Sequence, residues 1–209
     1  MRVNRRERRK ERTRQGLLDV AVELIGERGI YGTRVEDITE RSDLGKGAFY
    51  NYFASKDALI AALVAQGVEL LHRRYHAEPS AGASPAERIA AVVAAHEAFF
   101  AENPAYLVLF HQARGLIAVR PDEHAALRGI FREYLGRTGE VITSADDRAR
   151  MDPEVLADLA AVVLGAIAGH HSFRFAAGLD AGGPVVAGVL AAGVPAELAA
   201  RRGARDVAR

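Results

Sequence analysis

The chain has no cysteine, which excludes a disulfide framework and thiolate chemistry and favours a reducing compartment. A secretory leader is not expected either, because positions 2–14 are charged throughout rather than basic, then apolar, then small. Long hydrophobic runs are scarce. The two longest, 159-LAAVVLGAIAG-169 and 184-PVVAGVLAAGVPA-196, fall short of the roughly 20 residues of a membrane span, so no membrane partner is expected. No segment alternates β-branched and aromatic residues with period two, and nothing repeats at a fixed period. What is left is the expectation of a cytoplasmic, all-α protein. Its 209 residues, 49% apolar and 26% charged, suffice for one large or two small domains with a proper core.

Catalytic signatures are missing as well. No Gly-x-Ser-x-Gly occurs, His96-Glu97 lacks a second histidine at metalloprotease spacing, and 178-GLDAGG-183 does not follow a strand. Neither an enzyme nor a cofactor is expected. His72 and His76 lie at i, i+4, and His170-His171 adds two imidazoles, which is possible metal-ligand spacing. The first pair is expected on the exposed face of a polar helix end, so no metal site is expected.

Charge is present but unevenly placed. The net charge is +1, yet residues 1–56 carry 13 Lys/Arg against 9 Asp/Glu, and the remainder carries 15 against 18. The first fourteen residues alone hold eight basic and two acidic side chains. A basic front end on an acidic body suits contact with a polyanion at that end.

Apolar residues recur at helical spacing throughout. Leu17, Leu18, Ala21, Leu24 and Ile25 give one face of a first helix, from about Arg8 to a stop at Gly29. A short second helix follows Thr33 or Arg34 and ends near Ser42. A third begins at Lys46, and Ser55 is placed to cap a fourth that continues to His76. The stretch 77-AEPSAGASP-85 reads as a linker, dividing a domain at 1–76 from one at 77–209. Further helices are expected at about 85–102, 104–115, 122–143, 153–178 and 183–202, opened by Pro85, Pro104, Asp122 and Pro153 where such signals stand. That makes about nine helices.

Two short helices joined by a three- or four-residue turn are the helix-turn-helix layout, whose second helix reads the major groove. The stretch 45-GKGAFYNYFASKDAL-59 suits that role. Phe49, Tyr52 or Phe53 should face the core, leaving Lys46, Gly47, Ala48, Tyr50 and Asn51 outside. Gly45 and Gly47 would let a phosphate approach backbone N–H groups, Lys46 adds a cation, and the tyrosine hydroxyls can donate to phosphate oxygens. Ala48 and Asn51 suit contacts with base edges. A P-loop is excluded, since the earlier glycine and the Ser/Thr after the lysine are missing.

Residues 13–63 resemble the amino-terminal domain of TetR/AcrR-type transcriptional regulators. The resemblance rests on Gly29-Ile30, Thr33-x-Val35-x-x-Ile38, Lys46-Gly47, Tyr50-x-Tyr52-Phe53, Ser55-Lys56 and Leu59. It implies DNA contacts at Lys46, Gly47, Ala48, Tyr50, Asn51, Tyr52 and Lys56, with a further phosphate contact near Thr33 or Arg34. A homodimer, a palindromic double-stranded operator and a small-molecule effector pocket in the body are implied too. The sequence departs from the family's Ala-Gly-Val-Ser turn, reading Ser42-Asp43-Leu44-Gly45. Asp43 must then adopt a left-handed conformation, and Gly45 removes a hydroxyl cap. The arginine-rich front is expected to compensate, entering the adjacent minor groove or lying along the backbone.

In the body, aromatic and polar residues suit a ligand cavity: Phe99, Phe100, Tyr106, Phe110, His111, Arg114, Phe131, Tyr134, His170, Phe173 and Arg174. The competing account for each is plain core or surface. For dimerisation, Leu156, Leu159, Val163 and Ile167 form one stripe and Val186, Val189 and Leu190 another, which would give a four-helix interface. The expected function is a ligand-responsive DNA-binding regulator, a repressor rather than an activator. A helical small-molecule carrier and a constitutive architectural DNA binder are the alternatives.

Overall fold

A computed structural model of the chain describes residues 5–76, 82–179 and 185–206, apart from the side chains at 76 and 201–206. Among the described residues there are ten α-helices and no strand. The all-α expectation therefore holds. The chain divides into two compact units, Met1–Gly67 with Asn103–Ile130, and Val68–Glu102 with Phe131–Arg209.

The first unit starts with α1 (Arg5–Gly32), whose Leu17, Leu18, Ala21, Leu24 and Ile25 are buried at helical spacing. The helix is interrupted at Gly29, where φ is 74° and ψ is 173°. That region is essentially reserved for glycine, which is why the expected stop falls there although helical turns resume to Gly32. Next come α2 (Val35–Arg41) and α3 (Lys46–Phe49), then α4 (Lys56–His76), within which the two units divide. Ser55 caps α4, its Oγ accepting from the Ala58 N–H at 3.1 Å. α6 (Pro104–Val119) completes this unit and packs on α1. Close approach is possible because Gly26 faces Ala105 and Gly67 faces Tyr106 and Phe110. A Cβ on either glycine would lie within 2.8 Å of those side chains.

The second unit holds the rest of α4, α5 (Pro85–Glu102), α7 (Ala125–Ile142) from Phe131 onward, α8 (Ala145–Arg150), α9 (Pro153–Ala176) and α10 (Val185–Asp206). Ser84 and Glu87 form a reciprocal capping box at the start of α5. Asp152 caps α9 by accepting from the Glu154 N–H. Several boundaries differ from expectation: α1 starts at Arg5 and runs to Gly32, α6 continues to Val119, and α10 spans Val185–Asp206. α7 begins at Ala125, because residues 121–124 form a turn, so Asp122 does not open it. α8 was not expected at all. It is six residues long and opened by a Ser144–Asp147 capping box.

Among the described residues one helix, α9, is long and apolar enough by length and composition to cross a membrane, contrary to the reading of its uninterrupted runs. Asp158 on one side and His170-His171 on the other bound the run 159–169 without lowering the average much. A long core helix passes the same test. Here Leu159, Ala160, Val163 and Ile167 are buried in the second unit, while Val162 and Phe173 are exposed.

Candidate nucleic-acid interface

The candidate site is built on α2, the following turn and α3. Ile38, Phe49 and Phe53 are buried and fix these elements against the core. The Asp37 carboxylate accepts from the Arg34 N–H at 2.9 Å, covering one open donor at the start of α2. Between the helices, Asp43 has φ 52°, the left-handed conformation that the missing glycine demands. The turn is closed by the Leu44 N–H donating to Thr39 O at 2.8 Å. Gly45 then caps α3 with no side-chain bond, leaving only its carbonyl to accept from the Ala48 N–H.

α3 is four residues long and continues as a turn, shorter than a full reading helix. Its inner face carries Phe49 and Phe53, whose rings lie 5.7 Å apart, and the Arg14 guanidinium sits over Phe53. Lys46, Gly47, Tyr50 and Asn51 are exposed, whereas Ala48 and Tyr52 are half-buried. Tyr50 packs edge-on against Phe49, so one side of its ring is anchored while the residue as a whole stays 51% exposed.

Three of the expected contact residues have other occupations in this structure. Lys46 is hydrogen-bonded to Glu36 of α2, which lowers the glutamate's pKa and raises the lysine's. The pair is open to solvent and holds Lys46 only weakly. Thr33 is buried, and its hydroxyl donates to Gly29 O at 2.9 Å, so of the Thr33–Arg34 pair only Arg34 is exposed. Lys56 donates to Ile30 O. Its half-buried position pulls the ammonium pKa down, by desolvation.

The arginine-rich front is helical from Arg5 and continuous with α1, with residues 5–12 exposed. An α-helix is about 10–12 Å wide and a B-DNA minor groove about 6 Å, so this segment cannot enter that groove. Any minor-groove contact by residues 5–14 would have to come from their side chains alone, and contact along the phosphates is open to them as well. Met1–Asn4 lie outside the described residues.

The expected ligand residues separate into the two units. Tyr106 and Phe110 belong to the first, packed on Gly67, and His111 and Arg114 are exposed there. In the second, Phe99, Phe100 and Tyr134 are buried, Phe131, His170 and Arg174 are half-buried, and Phe173 is 80% exposed. Around Tyr134 and Phe100 gather residues the sequence did not single out as ligand candidates: His72 and Tyr75 of α4 and His96 of α5, with His171 of α9 against Phe100. His96 Nδ1 lies 2.7 Å from Val92 O, so that nitrogen carries the proton and Nε2 accepts. Tyr75 Oη lies 2.9 Å from Nε2, and Tyr134 Oη also bonds it. Burial lowers the His96 pKa to about 4 and raises that of Tyr75 well above its usual value. Burial thus favours the uncharged forms of His96 and Tyr75. Spacing gave a signal, since His72 and Tyr75 (i, i+3) and His96, Phe99 and Phe100 (i, i+3, i+4) each share a helix face.

His72 is fully buried, correcting its expected exposure; the His76 side chain lies outside the described residues. Among the described residues no group of three His, Asp or Glu could hold a metal ion. Of the expected dimer stripe, Leu159, Val163, Ile167 and Leu190 are core residues of the second unit, Leu156 and Val186 are half-buried, and Val189 is exposed. The exposed apolar residues on these helices are Val162, Phe173 and Phe175 of α9 with Val185 and Val189 of α10.

A short helix pair with a tight turn, a pinned aromatic core and an exposed Lys-Gly-x-x-Tyr-Asn edge defines a helix-turn-helix DNA-binding domain. Residues 17–63 match the family described as bacterial regulatory proteins, tetR family, and this domain belongs to it. The chain is 28% identical over 105 residues to the HTH-type transcriptional repressor KstR2 of Mycobacterium tuberculosis, covering 50% of this chain and 52% of that one. The match thus spans about half the length of that relative. With the fatty acid metabolism regulator protein of Bacillus subtilis the identity is 23% over 138 residues, covering 65% of this chain and 71% of the other. The fold is shared with the transcriptional regulator FadR of Bacillus subtilis, solved in complex with stearoyl-CoA. The TM-score is 0.67 at 17% identity, covering 88% of this chain and 96% of that one.

Proposed function

We propose that this protein is a ligand-responsive transcriptional repressor that binds a palindromic operator as a homodimer. The observation that carries the reading is the exposed edge of Arg34, Lys46, Gly47, Tyr50 and Asn51, with Arg14 of α1 packed over Phe53 behind it. Arg34, Lys46 and Tyr50 would hold phosphates, and Asn51 would reach base edges in the major groove. Lys46 must exchange Glu36 for phosphate, a small loss for so exposed a pair. Functionally, residues 1–76 supply the DNA contacts and 77–209 effector binding and dimerisation. The exposed Val162, Phe173, Val185 and Val189 of α9 and α10 support a two-fold interface there, with small residues such as Gly165 and Gly188 between them. The buried His–Tyr cluster supports effector recognition in the second unit. Relatives named as a repressor and as a regulator solved with an acyl-CoA fit the same scheme. An effector acts by favouring a dimer whose reading helices are not spaced by the roughly 34–36 Å of one DNA turn.

Titration against the DNA upstream of the protein's own coding sequence, at two salt concentrations and with competitor, tests this. A dimer-stoichiometric complex that resists competitor is expected. Tyr50→Ala and Lys46→Ala should each weaken it at least tenfold, with the sedimentation coefficient of the free protein unchanged. Unaltered binding by both variants would remove α3 from the interface.

A further inference from the structure

The break in α1 at Gly29–Ile30 is held from outside the helix-turn-helix. The Ile30 N–H donates to Gln112 Oε1 of α6 at 2.5 Å. Lys56 of α4 donates to the carbonyl of the same residue. One residue's backbone N–H and C=O are thus gripped from two other helices, 82 and 26 positions away in the chain. The geometry depends on Gly29, because a Cβ there would lie 2.6 Å from Gln112 Nε2 and 2.9 Å from its Oε1. Thr33 completes the joint by donating to Gly29 O, and α2 starts two residues later, at Val35.

We infer that Gln112 is a positioning residue for DNA recognition: by accepting from the Ile30 N–H it fixes the direction in which the chain leaves α1 and hence the placement of α2 and α3. Three features converge on this. The side chain comes from α6, which contributes no residue to the exposed edge. Its partner is a peptide N–H at the break, where the interruption of the helix leaves donors without their usual i−4 carbonyl. α6 is also brought close by Gly26, against Ala105 at its first turn, as well as by Gly29, so the approach recurs along one face of α1. Lys56 takes the matching role on the carbonyl side, which accounts for its half-buried ammonium. An amide at 112 can serve as the acceptor without introducing a buried charge. A glutamate would serve as well, with Lys56 nearby to balance it, whereas an isosteric leucine would leave the N–H unpaired.

The inference rests on the DNA-binding reading, so its test has one arm with DNA and one without. A duplex is first selected by the wild-type protein from a random pool. Gln112→Leu should bind that duplex at least tenfold more weakly, and Gln112→Glu within threefold of wild type. In the free protein, amide exchange at Ile38, Ser42 and Leu44 should be at least tenfold faster in Gln112→Leu than in wild type and restored in Gln112→Glu. Wild-type binding by Gln112→Leu, or equal loss in both variants, would overturn the inference, since the acceptor would then be irrelevant. If the wild type selects no duplex, the DNA reading itself fails and the exchange arm decides alone: unchanged rates in α2 and its turn would overturn the positioning role, and faster rates rescued by glutamate would uphold it.

Discussion

In the first unit Tyr50 is 51% exposed, braced by Phe49 on one side and open to solvent on the other; in the second, Tyr75 is 1% exposed and bonded to a histidine that is itself buried. The same side chain thus serves as a surface donor in one place and as part of a closed interior network in the other. Charge follows the same division. Lys46, Glu36, Arg41 and Glu27 pair at the surface, where water and a polyanion can compete for them. His72, Tyr75, His96, Tyr134 and His171 are inside, where only uncharged forms are tolerated. An interface for a polyanion needs groups that can change partners at little cost. A buried network needs groups that cannot. The comparison predicts that the second unit should be more sensitive to pH than the first, whose carboxylate pairs lie in solvent.

The sharpest way to break that comparison is to titrate it. His96 is neutral in the fold down to about pH 4, whereas an unfolded histidine protonates near 6.5. Between these values the unfolded chain binds a proton that the folded chain refuses. Stability present above pH 6.5 is therefore lost as pH falls toward 4, by about 3 kcal/mol for this group. Burial also lowers the His171 pKa, which adds loss of the same sign. His96→Gln keeps a donor for Val92 O and an acceptor for the tyrosines but cannot titrate. Urea midpoints at pH 7.5 and 4.5 should fall markedly less in this variant than in wild type, and an equal fall would mean that His96 is not the buried neutral group.

A second large effect belongs to the first unit and should be indifferent to pH. Gly29→Ala combines a glycine-only backbone conformation with a clash against Gln112, and should cost about 2 kcal/mol. Equal losses at pH 7.5 and 4.5 are expected in denaturant melts. A loss confined to low pH would show that the two units do not differ in the way proposed.

How much of this was legible in the sequence depends on the range of the interaction that decides it. The helix break at Gly29 and the inward Phe49 and Phe53 could be read locally, because turn chemistry and helical spacing determine them, whereas the left-handed Asp43 followed from the family resemblance. The six-residue α8 was missed although Ser144-x-x-Asp147 carries a capping-box signal, since so short a segment has no apolar periodicity to confirm it. α9 is apolar nearly all round, so its sequence does not say whether Leu159, Val163 and Ile167 face a partner or their own core; they face the core. The occupations of Lys56 and Gln112 were beyond reach, because their partner is remote in sequence and is a backbone group that no side-chain pattern encodes.

Smaller effects sharpen the comparison within the turn of the first unit. Asp43 sits at φ 52°, a conformation that an aspartate tolerates and a glycine adopts freely. Asp43→Gly should stabilise the protein by about 1 kcal/mol, seen as a higher urea midpoint with an unchanged slope. Gly45→Ser should add a few tenths of a kcal/mol by giving α3 the hydroxyl cap it lacks. Space permits the change, since nothing lies within 4 Å of a Cβ built there. The informative readout is DNA affinity alongside stability. A serine Oγ that caps α3 also stands where α3 would meet a phosphate, so affinity should rise in Gly45→Ser and stay nearly constant in Asp43→Gly. A gain in stability without a gain in affinity at position 45 would mean that the phosphate lies away from the start of α3, and that Arg34 and the basic turns of α1 carry the backbone contacts instead.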